Sequence, residues 1–336
     1  MNFDFPLIPD IKIYGEKATP EQDALINYII HNKFVNGEEK IVKEAVEFYK
    51  SVFKYLKSIN LSTLEEADMN KIWKYLNATF NFNLIFQDDL RFEILFRVTR
   101  VNESFLENDK VRKTKYLYNP PVELNHEKGI FNRCNSPNTS AFYSSFIENV
   151  ALRETKPDKG QGIILTTWQN ISGKLFVYYP VSHAPIINNH PNNRATIAFN
   201  KKFQNHHPTF TEYQKLILEF IASEIVKDSE VISEKKYEYI FSAFFCEKIL
   251  TKRNPKDPTS HFDMILYPSV AYNHEQDNAC ILPNSLTNLR PIYLREFRIL
   301  DTYYNQPVTL TKLPLKLQLL RETTCIYEDK IVWNDD

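Results

Sequence analysis

The chain has 336 residues, 43% of them hydrophobic and 14% aromatic, with a formal net charge of −1. That is apolar material for one large or two ordinary domains, and the balanced charge argues against non-specific nucleic-acid binding. Six glycines in the whole chain, with Gly160-Gln161-Gly162 followed by Ile-Ile-Leu rather than by a third glycine, exclude a Rossmann fingerprint and a P-loop, so any nucleotide must be held by side chains.

Residues 1–18 read as an irregular, extended arm, and residues 20–90 as helical. Thr19 and Pro20 form one start signal, a cap followed by proline in the first turn. From Glu38 to Ile59, apolar Ile41, Ala45, Val46, Tyr49, Val52, Phe53 and Leu56 recur at helical spacing. A third start falls at Ser62-Thr63-Leu64-Glu65-Glu66, where either hydroxyl can cap. The character changes near Asp88. Asp88-Asp89 and Glu93 read as a solvated stretch, and Ile94–Val101 is β-rich and predicts the first core strand. Residues 103–131 read as loop, Phe142-Tyr143 as the end of a short strand, and Ser144–Glu154 as a helix. Gly162–Trp168 and Lys174–Tyr179 predict strands around an Ile171-Ser172-Gly173 hairpin turn. Residues 180–210, rich in Pro, Asn and His, predict a long loop. Helices follow over Thr211–Lys227 and Ser233–Lys252, then strands over Met264–Tyr267 and Leu294–Leu300 and a β-leaning tail.

The four cysteines lie far apart without a C-x-x-C pair, which argues against structural zinc and for free buried thiols in a reducing compartment. His183, His190, His206 and His207 share one loop region but lack the regular spacing of a metal site, so no metal is expected. MNFDFPLIPD lacks the pattern of a signal peptide, and no run of 18 apolar residues occurs. A cytoplasmic protein with no membrane partner is expected.

Several polar residues interrupt this ordinary background. Arg97 lies between apolar neighbours, sharing a strand face with Leu95 and Thr99. Its forked donors suit a pyrophosphate or carboxylate, although a lone strand arginine is more often a solvated edge residue. Arg133 precedes an Asn-Ser-Pro-Asn turn in which Asn138 sits where a positive backbone angle is tolerated. Tyr143 can stack on a flat ring or serve equally well as a core tyrosine. Glu154 ends the helix that carries Phe146, Val150 and Ala151. The i, i+4, i+8 ridge Phe146, Val150, Glu154 points its carboxylate inward, where burial costs energy unless the group is paired or used. Pro268 ends a strand and leaves Ser269 in the loop beyond it, at the kind of strand end where ligands collect. Asn278 carries an amide able both to donate and to accept.

These residues form two anchors. One is R-x-N…Y…A-x-x-E, namely Arg133, Asn135, Tyr143, Ala151 and Glu154; the other is Y-P-S…N-x-A, namely Tyr267, Pro268, Ser269, Asn278 and Ala279. With Phe96-Arg97 upstream, the order resembles the RES-domain family over roughly residues 90–300. The resemblance implies an α+β fold with a mixed or antiparallel β core of ADP-ribosyltransferase-like type and flanking helices. It gives a catalytic domain over 91–336, with a loop-helix insertion around 180–230, after a helical accessory or sensor region over 1–90. It implies a NAD-consuming enzyme, toxin or defence effector, that cleaves the nicotinamide–ribose bond by phosphorolysis or hydrolysis. Arg97 and Arg133 would hold the pyrophosphate or ribose side, with Asn135 in the same binding set. Tyr143 would stack on nicotinamide and Glu154 orient ribose, and Ser269 with Asn278 would complete the pocket. No cofactor beyond NAD as substrate is implied, with inorganic phosphate as a candidate co-substrate. The expected partners are NAD and an antitoxin or regulatory protein, with a homo-oligomer left open. The competing expectation is a RES-like nucleotide-binding or assembly module without turnover.

Overall fold

The computed structural model describes residues 3–6, 37–80, 88–129, 131–181, 194–203, 208–227, 236–250, 253–254, 257–272, 275–304, 313 and 315–336. The Thr19-Pro20 helix start, most of the N-terminal arm and the four loop histidines lie outside the described residues. The fold is α+β, a large mixed sheet with several helices packed on it. No described helix is long and apolar enough to cross a membrane.

The first described helix, α1 (Glu38–Ser58), runs where the 3.6-residue pattern places it. Glu38 and Glu39 occupy its first turn and Lys57 its last, complementing the helix dipole. The next helix, α2 (Glu66–Thr79), begins later than its hydroxyl cap signal implies. Ser62 and Thr63 are spent in a short 3-10 turn capped by Asn60, whose Oδ1 accepts from Ser62 N. The cap is Glu65, whose N–H donates to Asp68 Oδ2 at 3.3 Å. Residues 3–6 are irregular and pack on α2, with Phe5 stacked on Tyr75 at 4.3 Å.

Nine strands form the main sheet: β1 (Asp88–Leu90), β2 (Ile94–Arg100), β5 (Phe142–Ser145), β6 (Gly162–Asn170), β7 (Phe176–Pro180), β10 (Met264–Pro268), β11 (Asp277–Ile281), β12 (Leu289–Thr302) and β13 (Leu315–Thr323). Their order is β1-β7-β10-β11-β5-β2-β6-β12-β13, antiparallel except for β7 beside β10. Two-residue strands β3 (Leu106–Glu107) and β4 (Lys110–Val111) pair separately, as do β8 (Arg253–Asn254) and β9 (Asp257–His261).

Several expectations are corrected here. The turn at Ile171-Ser172-Gly173 does not close a hairpin: β2 and β12 occupy both edges of β6, while β7 pairs with β1 and β10. Asp88 and Asp89 belong to an edge strand, although Asp89 and Glu93 are exposed as read. The 103–131 stretch holds a short helix, α3 (Val122–Lys128), opened by Pro121 and ended by left-handed Gly129. The helix read over 144–154 splits, because Ser144 and Ser145 remain in β5 and α4 (Glu148–Thr155) begins only afterwards. Part of the expected 180–210 loop is a helix, α5 (Arg194–Phe203); α6 (Pro208–Ile225) and α7 (Ile240–Leu250) follow.

One apolar cluster runs from α1 and α2 through α6 and α7 to the sheet. Phe53 stacks on Phe220 of α6 at 4.1 Å and on Phe80 at 5.6 Å. A second cluster, with Leu152, Ile163, Leu165 and Phe297, lies beneath α4. Each such buried side chain contributes about 1.5–3 kcal/mol.

Asp277 joins α5 to the sheet. Its carboxylate accepts the Arg194 and Ala195 N–H groups at 2.9 and 3.5 Å and lies 3.6 Å from Arg194 Nη1. Burial pushes its pKa up to about 6, against the lowering effect of Arg194. The folded value exceeds the ordinary carboxyl value, so this group's stabilisation is complete below about pH 4 and is lost as pH rises through about 6. Asp277→Asn is expected to flatten that fall, measured as the difference between urea midpoints at about pH 4 and about pH 7.

Candidate functional site

Arg133 is presented by a tight turn. Asn132 N–H donates to Asn135 O at 2.9 Å, and Cys134 N–H donates to the Tyr143 hydroxyl at 2.9 Å. That hydroxyl in turn donates to Asn135 Oδ1 at 2.8 Å. Asn135 is 2% exposed, and its amide nitrogen donates to Ser136 O and Thr139 O. It is therefore the internal tie of the turn, and it does not line the cleft described below. Asn138 does not take the left-handed backbone expected of it. Its N–H is satisfied by Ser136 Oγ, which stabilises the turn without a positive φ.

The Arg133 guanidinium lies over the Tyr239 ring at 5.0 Å. Its Nη1 donates to the carbonyls of Ile225 and Lys227 at the end of α6, where the helix dipole is negative. Among the described residues no carboxylate forms an ion pair with it. Burial works to lower its pKa, but the surroundings, Tyr239 and Glu154 foremost, raise it above the usual value. The Nε and Nη2 donors remain for a ligand.

Glu154 is aimed by the packing of α4. Leu152 is fully buried in the second apolar cluster. Arg153 lies over the Tyr272 ring and donates to Tyr304 O. Positions two apart on a helix diverge by about 200°, so Glu154 points away from the Leu152 cluster. Ala151, three residues earlier, lines the same cleft. The carboxylate is half-buried, and its Oε1 accepts the Ser269 hydroxyl at 2.6 Å and Ala271 N–H at 3.2 Å. Ser269, just past β10 and fully buried, reaches the site through Glu154 rather than through the cleft surface. The predicted inward ridge is half right: Val150 is buried and Glu154 faces the site, but Phe146 precedes the helix.

Arg133, Tyr143, Glu154 and Asn278 line one cleft of about 300 Å³, at the small end of ligand pockets. The Asn278 Oδ1 accepts from Ser145 on the adjacent strand, which turns its amide nitrogen toward the cleft. Arg97 belongs to the cleft wall, yet its guanidinium donates to Leu117 O, Tyr143 O and Tyr118 O at 3.1, 2.8 and 3.3 Å. It also lies over the Phe142 ring at 4.8 Å. Burial pulls its pKa down to about 10. Three of its five donors are thus committed to carbonyls, so Arg97 builds the wall rather than offering a free fork.

Two tyrosines complete the lining without having been singled out as ligands. Tyr267, in the second anchor, is pushed well above the ordinary phenol range by burial and by nearby groups including Glu154, so it stays protonated and can donate. Tyr239 carries no local sequence signal, since it faces the cleft only because α6 and α7 fold beside the Arg133 turn. Cys134, Cys246 and Cys280 are free buried thiols as expected, whereas Cys325 is exposed. No family profile, curated protein or solved structure matches the chain.

Proposed function

We propose that this protein consumes NAD by cleaving the nicotinamide–ribose bond, as a RES-domain enzyme with an ADP-ribosyltransferase-like core. The observation that carries the proposal is the fixed Glu154 carboxylate, held by Ser269 and Ala271 in a cleft shared with Arg133, Tyr143 and Asn278. Nicotinamide leaves NAD as a neutral group, so its departure needs little acid catalysis. Positive charge develops on the ribose instead, and a preorganised carboxylate stabilises it.

Each residue takes a role from its place. Oε2 of Glu154 meets the ribose, Tyr143 supplies a flat face for nicotinamide, and the Asn278 amide meets a carboxamide or hydroxyl. Arg133 holds the phosphate side. Ser269 acts through Glu154, while Asn135 and Arg97 hold the turn and wall in shape. The cleft's volume suits the nicotinamide–ribose half, with the remainder of the dinucleotide outside. A cytoplasmic toxin or defence effector, restrained by an antitoxin or regulatory protein, fits this chemistry. Water, phosphate or a macromolecule can accept the ADP-ribosyl group.

The test is incubation of purified protein with NAD, with and without inorganic phosphate, followed by chromatography of the products. Nicotinamide release is expected, and its dependence on phosphate identifies the acceptor. Retention of NAD without nicotinamide release would replace the enzyme with a binding module.

A further inference from the structure

The turn that presents Arg133 is braced from outside the cleft. Helix α7 is apolar along most of its length, with Phe241, Phe244, Phe245, Cys246 and Ile249 buried. Glu247 interrupts that pattern. Its Oε1 accepts the Ser136 N–H at 2.5 Å and also the Thr139 hydroxyl. The preceding residue adds a weak contact, Cys246 Sγ to Arg133 O at 3.8 Å. Ser136 is 3% exposed, so water cannot readily replace a lost partner for its N–H. Glu247, Ser136, Thr139 and Cys246 all lie outside the cleft lining, and only Arg133 reaches it.

We propose that Glu247 is a positioning residue: it sets the 133–139 turn and thereby aims the Arg133 Nε and Nη2 donors into the cleft, a role that rests on reading that cleft as a NAD site. Both hydrogen bonds end on a single oxygen. A glutamine amide oxygen can accept both as well, so these two bonds need an acceptor at this reach. Alanine removes the acceptor and leaves the Ser136 N–H buried without a partner. The backbone that carries Arg133 then loosens and strains the contacts of its guanidinium with Ile225 O and Lys227 O, while Glu154, held separately by Ser269 and Ala271, keeps its aim.

The experiment compares Glu247→Ala, Glu247→Gln and wild type in steady-state NAD cleavage. It adds hydrogen exchange of peptides covering residues 131–140. In the alanine variant KM is expected to rise about tenfold with kcat little changed, the equivalent of about 1.4 kcal/mol, and exchange in 134–139 to accelerate. The glutamine variant is expected to restore both. Adding Glu247→Ala to Arg133→Ala should raise KM no further, because the two act in series. A glutamine variant as defective as alanine, or an alanine variant with unchanged KM, would overturn the proposal. If wild type releases no nicotinamide, the NAD reading fails on its own. The exchange comparison then decides the brace, and unchanged exchange in the alanine variant would overturn it.

Discussion

Glu154→Gln is expected to lower kcat for nicotinamide release by about 100- to 1000-fold, the range seen when one preorganised electrostatic contact is lost. Glutamine is nearly isosteric with glutamate, and its amide oxygen can still accept from Ser269 Oγ and Ala271 N–H, the two donors that fix Oε1. The side chain therefore stays in place and only its charge disappears. A charge that matters chiefly in the transition state leaves ground-state binding almost unaltered when removed, so KM should change little. Ser269→Ala should give a smaller loss, because the Ala271 N–H still restrains Oε1. Single-turnover release of nicotinamide from both variants separates the effects. An unchanged kcat in Glu154→Gln would remove Glu154 from the chemistry, and a larger loss in Ser269→Ala would mean that the serine acts directly on substrate.

The same residues show which parts of the molecule are legible in the sequence. Helix α1 is, because Ala45, Val46, Tyr49, Val52, Phe53 and Leu56 bury one face at a period set by the helix itself. Strand β2 is, because the β-branched and aromatic residues of Ile94–Arg100 favour an extended chain. Pro268 likewise signals the strand end that leaves Ser269 beside the site. Strand partnership is different. Nothing in Gly162–Pro180 reveals that β6 lies between β2 and β12, since those partners come from 60 residues upstream and 120 downstream, roughly, and are chosen by the whole sheet. The split of 144–154 into strand and helix is hidden for a related reason. Ser144-Ser145-Phe146-Ile147 holds no breaker, and pairing of Ser144 and Ser145 with Ala279 and Asn278 decides the outcome.

Within the site, the limits are those of single residues read alone. Strand alternation correctly separates Arg97 from Phe96, but it does not reveal that three carbonyls will claim the guanidinium. The hydrogen bond from Ser269 to Glu154 joins residues 115 apart, and only folding turns two recognisable positions into one unit. Tyr239 and Glu247 are less legible still. Tyr239 lies just before α7 and Glu247 within it, and each takes its place from what α7 packs against.

Asp263→Ala is expected to cost about 2–5 kcal/mol, because it strands two neutral donors at about 1–3 kcal/mol each. Asp263 is 1% exposed. Its carboxylate accepts Lys174 Nζ at 2.7 Å, Val177 N–H at 3.0 Å and the Ser285 hydroxyl at 2.7 Å. Its backbone N–H donates to Val177 O, and its carbonyl accepts from Leu282 N–H. One residue thus ties the start of β7 and the segment after β11 to the entrance of β10. Alanine leaves the Val177 N–H and the Ser285 hydroxyl without that acceptor, whereas Lys174, 36% exposed, can turn to water. The loss therefore comes mainly from stranded neutral donors, which predicts that Asp263→Asn is less costly than Asp263→Ala because one acceptor oxygen remains, while Lys174→Ala, which leaves the buried carboxylate without its cation, costs more than loss of an exposed ion pair. Urea denaturation of the three variants tests it. Against a total stability of about 5–15 kcal/mol for a typical domain, the alanine variant stands near the threshold of folding. Asp263 lies at the opposite end of β10 from Tyr267 and Ser269, so the molecules that do fold should bind NAD with unaltered KM. A KM shift in Asp263→Ala would mean that strain at the entrance of β10 reaches the cleft, and a cost below about 1 kcal/mol would mean that water replaces the carboxylate within the knot.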